Sequence, residues 1–253
     1  MTYTVIIPAR YASTRLPAKP LADIHGKPMI VRVAERAALA AAQSIWVAAD
    51  DERILHALTE HNINGILTAS HHTSGTDRLA EAVMQLGLTD DAIVVNVQGD
   101  EPLIAPALIH NVAADLAAHP ESVMSTVCHP IHTRTDMLNP NIVKVVIDNA
   151  GHALYFSRAP IPYPRDAFAA NTELPDNLPV YRHIGLYAYR VGFLKQYAAL
   201  SPAPIEQFES LEQLRVLWHG HKISVSISPH PAAPGVDTAA DLARVRELFL
   251  LES

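Results

Sequence analysis

Short apolar runs alternating with amphipathic stretches predict an α/β fold on a mostly parallel sheet for this 253-residue chain. An irregular, proline-punctuated second half predicts a β-rich part inserted at about residues 125–190. No internal repeat or low-complexity linker divides the chain, so one domain over residues 1–253 carrying that insertion is the economical organisation.

The elements follow in order. Tyr3–Pro8 reads as a buried strand, and Pro28–Ala42 as a helix with proline in its first turn and Ile30, Val33 and Ala37 on one face. Ile45–Ala49 is a second strand, followed by a helix from about Asp51 to His61. Gly65–Thr68 is a short strand, and Thr76–Leu86 a helix capped by Ser74 or Thr76. Ala92–Val97 is the most strand-like run, and Pro106–Ala118 the helix after it. In the second half, Ile142–Asp148 and Ala153–Phe156 form a predicted hairpin around Asn149-Ala150-Gly151. Pro160, Pro162, Pro164, Pro175 and Pro179 predict a long, stiff loop, since proline neither continues a helix nor donates to a ladder. A strand at His183–Tyr189, a helix near Pro204–His219, a strand at Lys222–Ser228 and a helix from Thr238 complete the pattern.

Composition excludes several classes. At 49% hydrophobic the chain is too apolar for disorder, and no apolar run reaches the roughly 18 residues that span a bilayer. The opening Met-Thr-Tyr-Thr-Val-Ile-Ile-Pro lacks the basic segment and h-region of an export signal. The single cysteine, Cys128, excludes an internal disulfide, and its apolar setting reads as a packed thiol rather than a nucleophile. A cytoplasmic location is the expectation.

Charge is uneven. Residues 1–34 hold Arg10, Arg15, Lys19, Lys27 and Arg32 against Asp23, a net of +4, whereas the remainder sums to −11. A cationic island on an acidic chain predicts an anion site and argues against a general nucleic-acid or membrane surface. The ten glycines lie too far apart for a G-x-G-x-x-G turn or a Walker A loop. Charged side chains and ordinary amides must therefore hold any phosphate.

The loop Ile7–Leu21 leaves the first strand at its carboxyl end, where ligands bind in parallel sheets. It carries Arg10, Arg15 and Lys19 with the hydroxyls of Ser13 and Thr14, donors of the kind a triphosphate needs. A solvated basic loop is the alternative, and strand-end position favours the ligand reading. Asn96-Val97-Gln98-Gly99-Asp100-Glu101-Pro102 ends the strongest strand in acids. Asp100 suits a hard divalent cation such as Mg2+, with Gly99 allowing close approach of backbone to ligand. Asp237, in Gly235-Val236-Asp237-Thr238, could supply a second metal carboxylate or a helix N-cap, roles that need not exclude each other. The fourteen histidines show no H-E-x-x-H, and His71-His72, His129/His132 and His219/His221 lack acidic or cysteine partners at zinc-ligand spacing. His183 is a possible substrate contact or a hydrogen-bonded strand-end histidine. Ser13 has no glycine elbow, against a serine hydrolase.

These motifs resemble, in order, those of the 3-deoxy-D-manno-octulosonate (Kdo) cytidylyltransferases. The likeness covers Ile7–Leu21, Ser74–Arg78, Asn96–Pro102, Asn139–Lys144, Phe156–Pro162, Arg182–Tyr189, Leu211–Arg215 and Gly235–Leu242. It implies a Rossmann-like, nucleotidyltransferase-type sheet whose insertion serves dimerisation and sugar binding. It further implies that CTP and Kdo give CMP-Kdo and pyrophosphate with Mg2+, for lipopolysaccharide biosynthesis. Lys19, Asp100 and Asp237 would be catalytic, with Asp100 and Asp237 on the metal. Arg10, Ser13, Arg15, Lys19, Ser74, Arg78 and Gln98 would bind the nucleotide, with the base near Ser74–Arg78 and Gln98. Kdo would meet Arg158, Arg165, His183, Tyr187, Glu212 and Gln213. The resemblance is weakest over Arg165–Pro179. It also implies a homodimer, with neither nucleic acid nor membrane insertion. The rivals are a CMP-sialic acid synthetase, disfavoured by Gln98–Pro102 and Phe156–Pro162, and a metal-dependent glycosyltransferase, which a triphosphate-sized cationic loop fits less well.

Overall fold

The computed structural model describes residues 1–72, 74–229, 231 and 233–251. They fall into two compact units: Met1–Ala114, Leu186–Ala198 and Ala232–Ser253 in the first, Asp115–Gly185 and Ala199–Pro231 in the second.

The first unit opens with strand β1 (Thr4–Ala9), a 3-10 turn at Lys19–Leu21, and a small hairpin of β2 (Asp23–Ile24) and β3 (Lys27–Pro28). Helix α1 (Met29–Ala38), β4 (Ser44–Ala49), α2 (Glu52–Glu60), β5 (Gly65–Leu67), α3 (Gly75–Gln85), β6 (Ile93–Asn96) and α4 (Pro106–Ala118) follow. β1 lies parallel to β4 on one side and to β6 on the other, and β5 extends the sheet beyond β4 in parallel. Val5, Ile6, Ile7, Val94 and Val95 are fully buried, as apolar strands covered on both faces require. The sheet is mostly parallel, as predicted.

Local chemistry sets the helix ends. α1 starts one residue after Pro28, which caps it rather than occupying its first turn. It stops at Ala38 and not at the predicted Ala42, because Ala41 turns left-handed (φ 56°) to feed β4. Asp51 caps α2 by accepting from Arg53 N at 2.9 Å. Of the two candidate caps for α3 the fold uses Ser74, whose hydroxyl accepts from Asp77 N at 3.1 Å.

The chain continues through β7 (Ser122–Pro130), α5 (Arg134–Leu138), β8 (Lys144–Ile147), β9 (Ala153–Ser157), α6 (Arg165–Ala169) and β10 (Tyr181–Arg190). α7 (Val191–Tyr197), α8 (Pro204–Glu209), α9 (Leu214–Trp218), β11 (Lys222–Ile227) and α10 (Ala239–Leu251) complete it. Within the second unit β7 and β11 run parallel, β8 and β9 form the predicted antiparallel hairpin, and Tyr181–Arg182 pair with β8. Tyr187–Arg190, in the first unit, pair antiparallel with β6. β7 carries Cys128, which is fully buried and whose thiol burial pushes up to about 12.

The structure departs from the sequence pattern in several places. β7, α5 and α7 form where that pattern predicts no element. The proline-rich loop contains a short helix, α6. The helix predicted over Pro204–His219 is two helices, separated where Ser210 adopts φ 52°. No helix among the described residues is long and apolar enough to cross a membrane.

A packing cluster near the chain's end positions an acidic residue of the site. Ile24, Met29, Leu103, Val236, Leu242 and Val245 bury one another, and Arg246 donates to Asp23 O through Nε (2.9 Å) and a terminal nitrogen (2.7 Å). This fastens α10 to the β2–β3 hairpin, and with it the segment Val236–Asp237.

Candidate active site

Two adjoining cavities open at the carboxyl end of β1, both within the first unit. The larger, about 330 Å³, is lined by the loop from Pro8 to Pro20 together with Gln98, Gly99 and Asp100. The smaller, about 160 Å³, shares Pro8, Ala9, Arg10 and Gln98 and adds His72, Ser74, Gly75 and Arg78. Of the cationic island only Arg10, Arg15 and Lys19 line these two cavities. Lys27 and Arg32 turn to Glu35 on α1 instead.

Lys19 is the centre of the larger site. The 3-10 turn, entered through a left-handed Ala18 (φ 52°), carries its ammonium to three oxygens. These are Asp100 Oδ2 at 2.6 Å, Val236 O at 2.8 Å and Asp237 Oδ1 at 3.1 Å. Arg15 adds a 2.9 Å bond to the same Asp237 oxygen. Ser13 accepts from Leu16 N at 3.4 Å and so folds the loop upon itself. Asp237 reaches this position because the cap of α10 falls to its neighbours. Thr238 Oγ1 accepts from Asp241 N (3.2 Å), while Asp241 Oδ2 accepts from Thr238 N (2.8 Å). The N-cap role for Asp237 is thereby removed.

Backbone approach fixes the opposite wall. Val236 N donates to Asp100 O at 2.8 Å. A Cβ on Gly99 would lie 2.7 Å from Pro8 O, so the close approach of β1 already calls for glycine at this cavity-lining position. Burial, reinforced by the Asp100 carboxylate, pushes Glu101 up to about 8.

Asp50, at the end of β4, organises the smaller cavity. It accepts from Tyr11 N at 2.8 Å, pairs with Arg78 at 3.2 Å and lies 4.0 Å from Arg10. Arg78 is almost wholly buried and also donates to Thr68 Oγ1 at 2.5 Å. Burial lowers its pKa, and the Asp50 carboxylate opposes that shift. Arg78 therefore stiffens the cavity wall as well as lining it. Sequence reasoning missed Asp50, since nothing local marks an aspartate at a strand end as a hub.

The remaining candidates are placed differently. Tyr187 belongs to the first unit, buried opposite Asn96 on β10. The other five lie in the second unit. Arg158 donates to Glu209 O (2.7 Å) and Pro140 O (3.0 Å), and its own N–H to Glu209 Oε2 (2.9 Å). Arg165 has a side chain 91% exposed on α6, 3.9 Å from Asp166. His183 packs edge-on against Phe156 and shares a 3.0 Å hydrogen bond with Thr126; burial drives its pKa down to about 3. These contacts favour the strand-histidine alternative. Glu212 is half-buried, and Gln213 is 2% exposed with its amide nitrogen unbonded among the described residues.

Two carboxylates converging on one cation are the donor set a hard divalent ion takes when phosphate oxygens and water complete its shell. No group of three or more His, Cys, Asp or Glu side chains able to hold a metal occurs among the described residues.

Residues 4–223 match the cytidylyltransferase family. A solved structure of CMP:2-keto-3-deoxy-manno-octonic acid synthetase complexed with CTP is similar to this chain over 100% of both chains, with 41% identity and a TM-score of 0.90. Fold, strand-end cavity and sequence agree: the chain is a nucleotidyltransferase and belongs to the cytidylyltransferase family.

Proposed function

We propose that this enzyme couples CTP to Kdo, the 2-keto-3-deoxy-manno-octonic acid of its relative's name, giving CMP-Kdo and pyrophosphate. The carrying observation is the larger cavity, with Arg10, Arg15 and Lys19 on one loop facing Asp100. Full-length likeness to a CMP-Kdo-forming enzyme seen with CTP supports the choice of substrates.

The chemistry needs an in-line displacement. The anomeric hydroxyl of Kdo forms the new bond to the α-phosphorus and gives up its proton, and the bond to the β-phosphate oxygen breaks. Arg10, Arg15 and Lys19 would bind the triphosphate oxygens and hold the leaving pyrophosphate, whose charge grows in the transition state. Ser74, Arg78 and Gln98 line the smaller cavity, which would take the base. Ser13 shapes the loop. Asp100 and Asp237 are the carboxylates that would hold Mg2+, which when bound supplies Lewis-acid polarisation of the phosphate and eases ionisation of the attacking hydroxyl. Arg158, Arg165, Tyr187, Glu212 and Gln213 remain the proposed Kdo contacts, whereas the bond to Thr126 gives His183 a structural role. Gln213 supports this best, because a buried unbonded donor is what a sugar hydroxyl satisfies.

The reading includes a homodimer, for which light scattering should return twice the mass of one chain. Its central test is pyrophosphate release from CTP with Kdo or sialic acid, with and without Mg2+. Turnover with Kdo that requires Mg2+ is expected. Faster turnover with sialic acid would transfer the assignment to the rival synthetase.

A further inference from the structure

His72 stands on the wall of the smaller cavity, and the fold gives it an acidic partner that its sequence neighbourhood does not. Glu81, on α3, hydrogen-bonds His72 Nε2. The carboxylate is itself held: Glu81 Oε2 accepts from Ala69 N at 2.9 Å and Oε1 from Gln85 Nε2 at 2.7 Å. Burial raises the Glu81 carboxyl, but these hydrogen bonds outweigh it and hold its pKa below the ordinary value. An ionised carboxylate only accepts, so in the neutral imidazole the proton sits on Nε2 and Nδ1 keeps its lone pair.

The other polar side chains of that wall are mostly donors. Arg10 and Arg78 cannot accept at all. The Ser74 hydroxyl is occupied by the helix cap, donating to Asp77 Oδ2 at 2.8 Å and accepting from Asp77 N. Gln98 can present either end of its amide by a half-turn. Donors suit the O2 carbonyl of any pyrimidine, and separate cytosine from uracil only where one meets N3, which accepts in cytosine and donates in uracil. The two bases differ at one edge, where cytosine offers an amine donor and uracil a carbonyl acceptor. Reading the exocyclic amine itself needs an acceptor, and a neutral histidine whose Nε2–H is engaged by a carboxylate offers one at Nδ1.

We propose that His72, oriented by Glu81, selects the nucleotide base by offering its Nδ1 lone pair to an exocyclic amine. Glu81 is the positioning residue and His72 the base contact. The proposal rests on the reading that the smaller cavity holds the base of CTP.

The test compares kcat/KM for CTP and for UTP, by pyrophosphate release with Kdo, in the wild type, His72→Ala, His72→Asn and Glu81→Gln. Equilibrium binding of the two nucleotides gives the same ordering without turnover. His72→Ala is expected to lower the CTP-to-UTP ratio by about tenfold, the scale of one well-placed hydrogen bond. Glu81→Gln frees the tautomer and lowers it by about threefold. His72→Asn, whose amide oxygen stands near the place of Nδ1, retains most of the preference, and a residue that only supports the fold would not show this rescue. A wild type that prefers CTP together with an unchanged ratio in His72→Ala and Glu81→Gln overturns the role of the pair and leaves the function standing. A wild type that uses neither nucleotide overturns both.

Discussion

Lys19 in the first unit and Lys144 in the second are both cations with three close oxygen partners, yet the partners differ in kind. Two of the oxygens around Lys19 are side-chain carboxylates at the edge of a cavity. All those around Lys144 are main-chain carbonyls, of Asn139 (3.0 Å), Ile142 (2.6 Å) and Arg158 (2.6 Å), and Lys144 is 0% exposed. Arg15 and Arg158 repeat the contrast, the one on a carboxylate and the other on carbonyls. A cation paired with mobile carboxylates beside open space can exchange partners when an anionic ligand arrives. A cation paired with fixed carbonyls holds the chain in place, and its loss leaves several acceptors buried without donors. Lys19 is thus placed to exchange partners, whereas Lys144 is placed to hold the chain.

The contrast breaks most visibly at the carboxylates. Asp100→Asn and Asp237→Asn should each lower turnover with CTP and Kdo by about a hundredfold or more, with the melting temperature little changed. Wild-type rates in both at saturating Mg2+ would remove the special status of this cavity. Next in size, Lys19→Ala or Arg15→Ala should raise KM for CTP by about tenfold and disturb Kdo less. An equal loss for Kdo would assign the loop to the sugar. In the second unit the readout moves to stability. Lys144→Met should cost about 2–4 kcal/mol in urea unfolding, on the scale of breaking a buried polar network; an unaltered unfolding curve would mean that the carbonyls find other donors.

The smallest effect is a pH dependence. Burial holds His183 at about 3, below the ordinary 6.5. Between those values the unfolded chain binds more protons than the folded one, so stability rises with pH across the window. The contribution is complete above about 6.5 and is lost progressively toward 3. Moving from pH 7.5 to 5.5 should cost on the order of 1 kcal/mol, and His183→Gln should flatten that change. A wild type equally stable at both values would show that the imidazole accepts its proton without cost.

Strands such as Val5–Ile7 and Ile93–Val95 were legible because an unbroken apolar run in this setting has few other uses. β7 was not, because its buried positions include Ser122, Ser125 and Thr126, whose polarity breaks the apolar run. α7 is short and has Gly192 near its start, where a Cβ would lie 3.1 Å from Asp90 Cβ. Ser210 breaks a helix without the glycine or proline that announces a break. The cationic loop was legible because its members are contiguous. Asp50 and Glu81 act on residues far away in sequence, and nothing in their own neighbourhoods says so.

Cys128 gives the molecule a practical property. The chain's one thiol is sealed within β7 and held protonated at neutral pH, so reagents that couple to thiolates find no target on the folded protein. A cysteine introduced at exposed Ala12, on the loop of the first unit, or at Arg165 in the second would therefore take a fluorescent label alone. Each unit can then be watched separately as nucleotide or sugar is added, with no native cysteine to remove first.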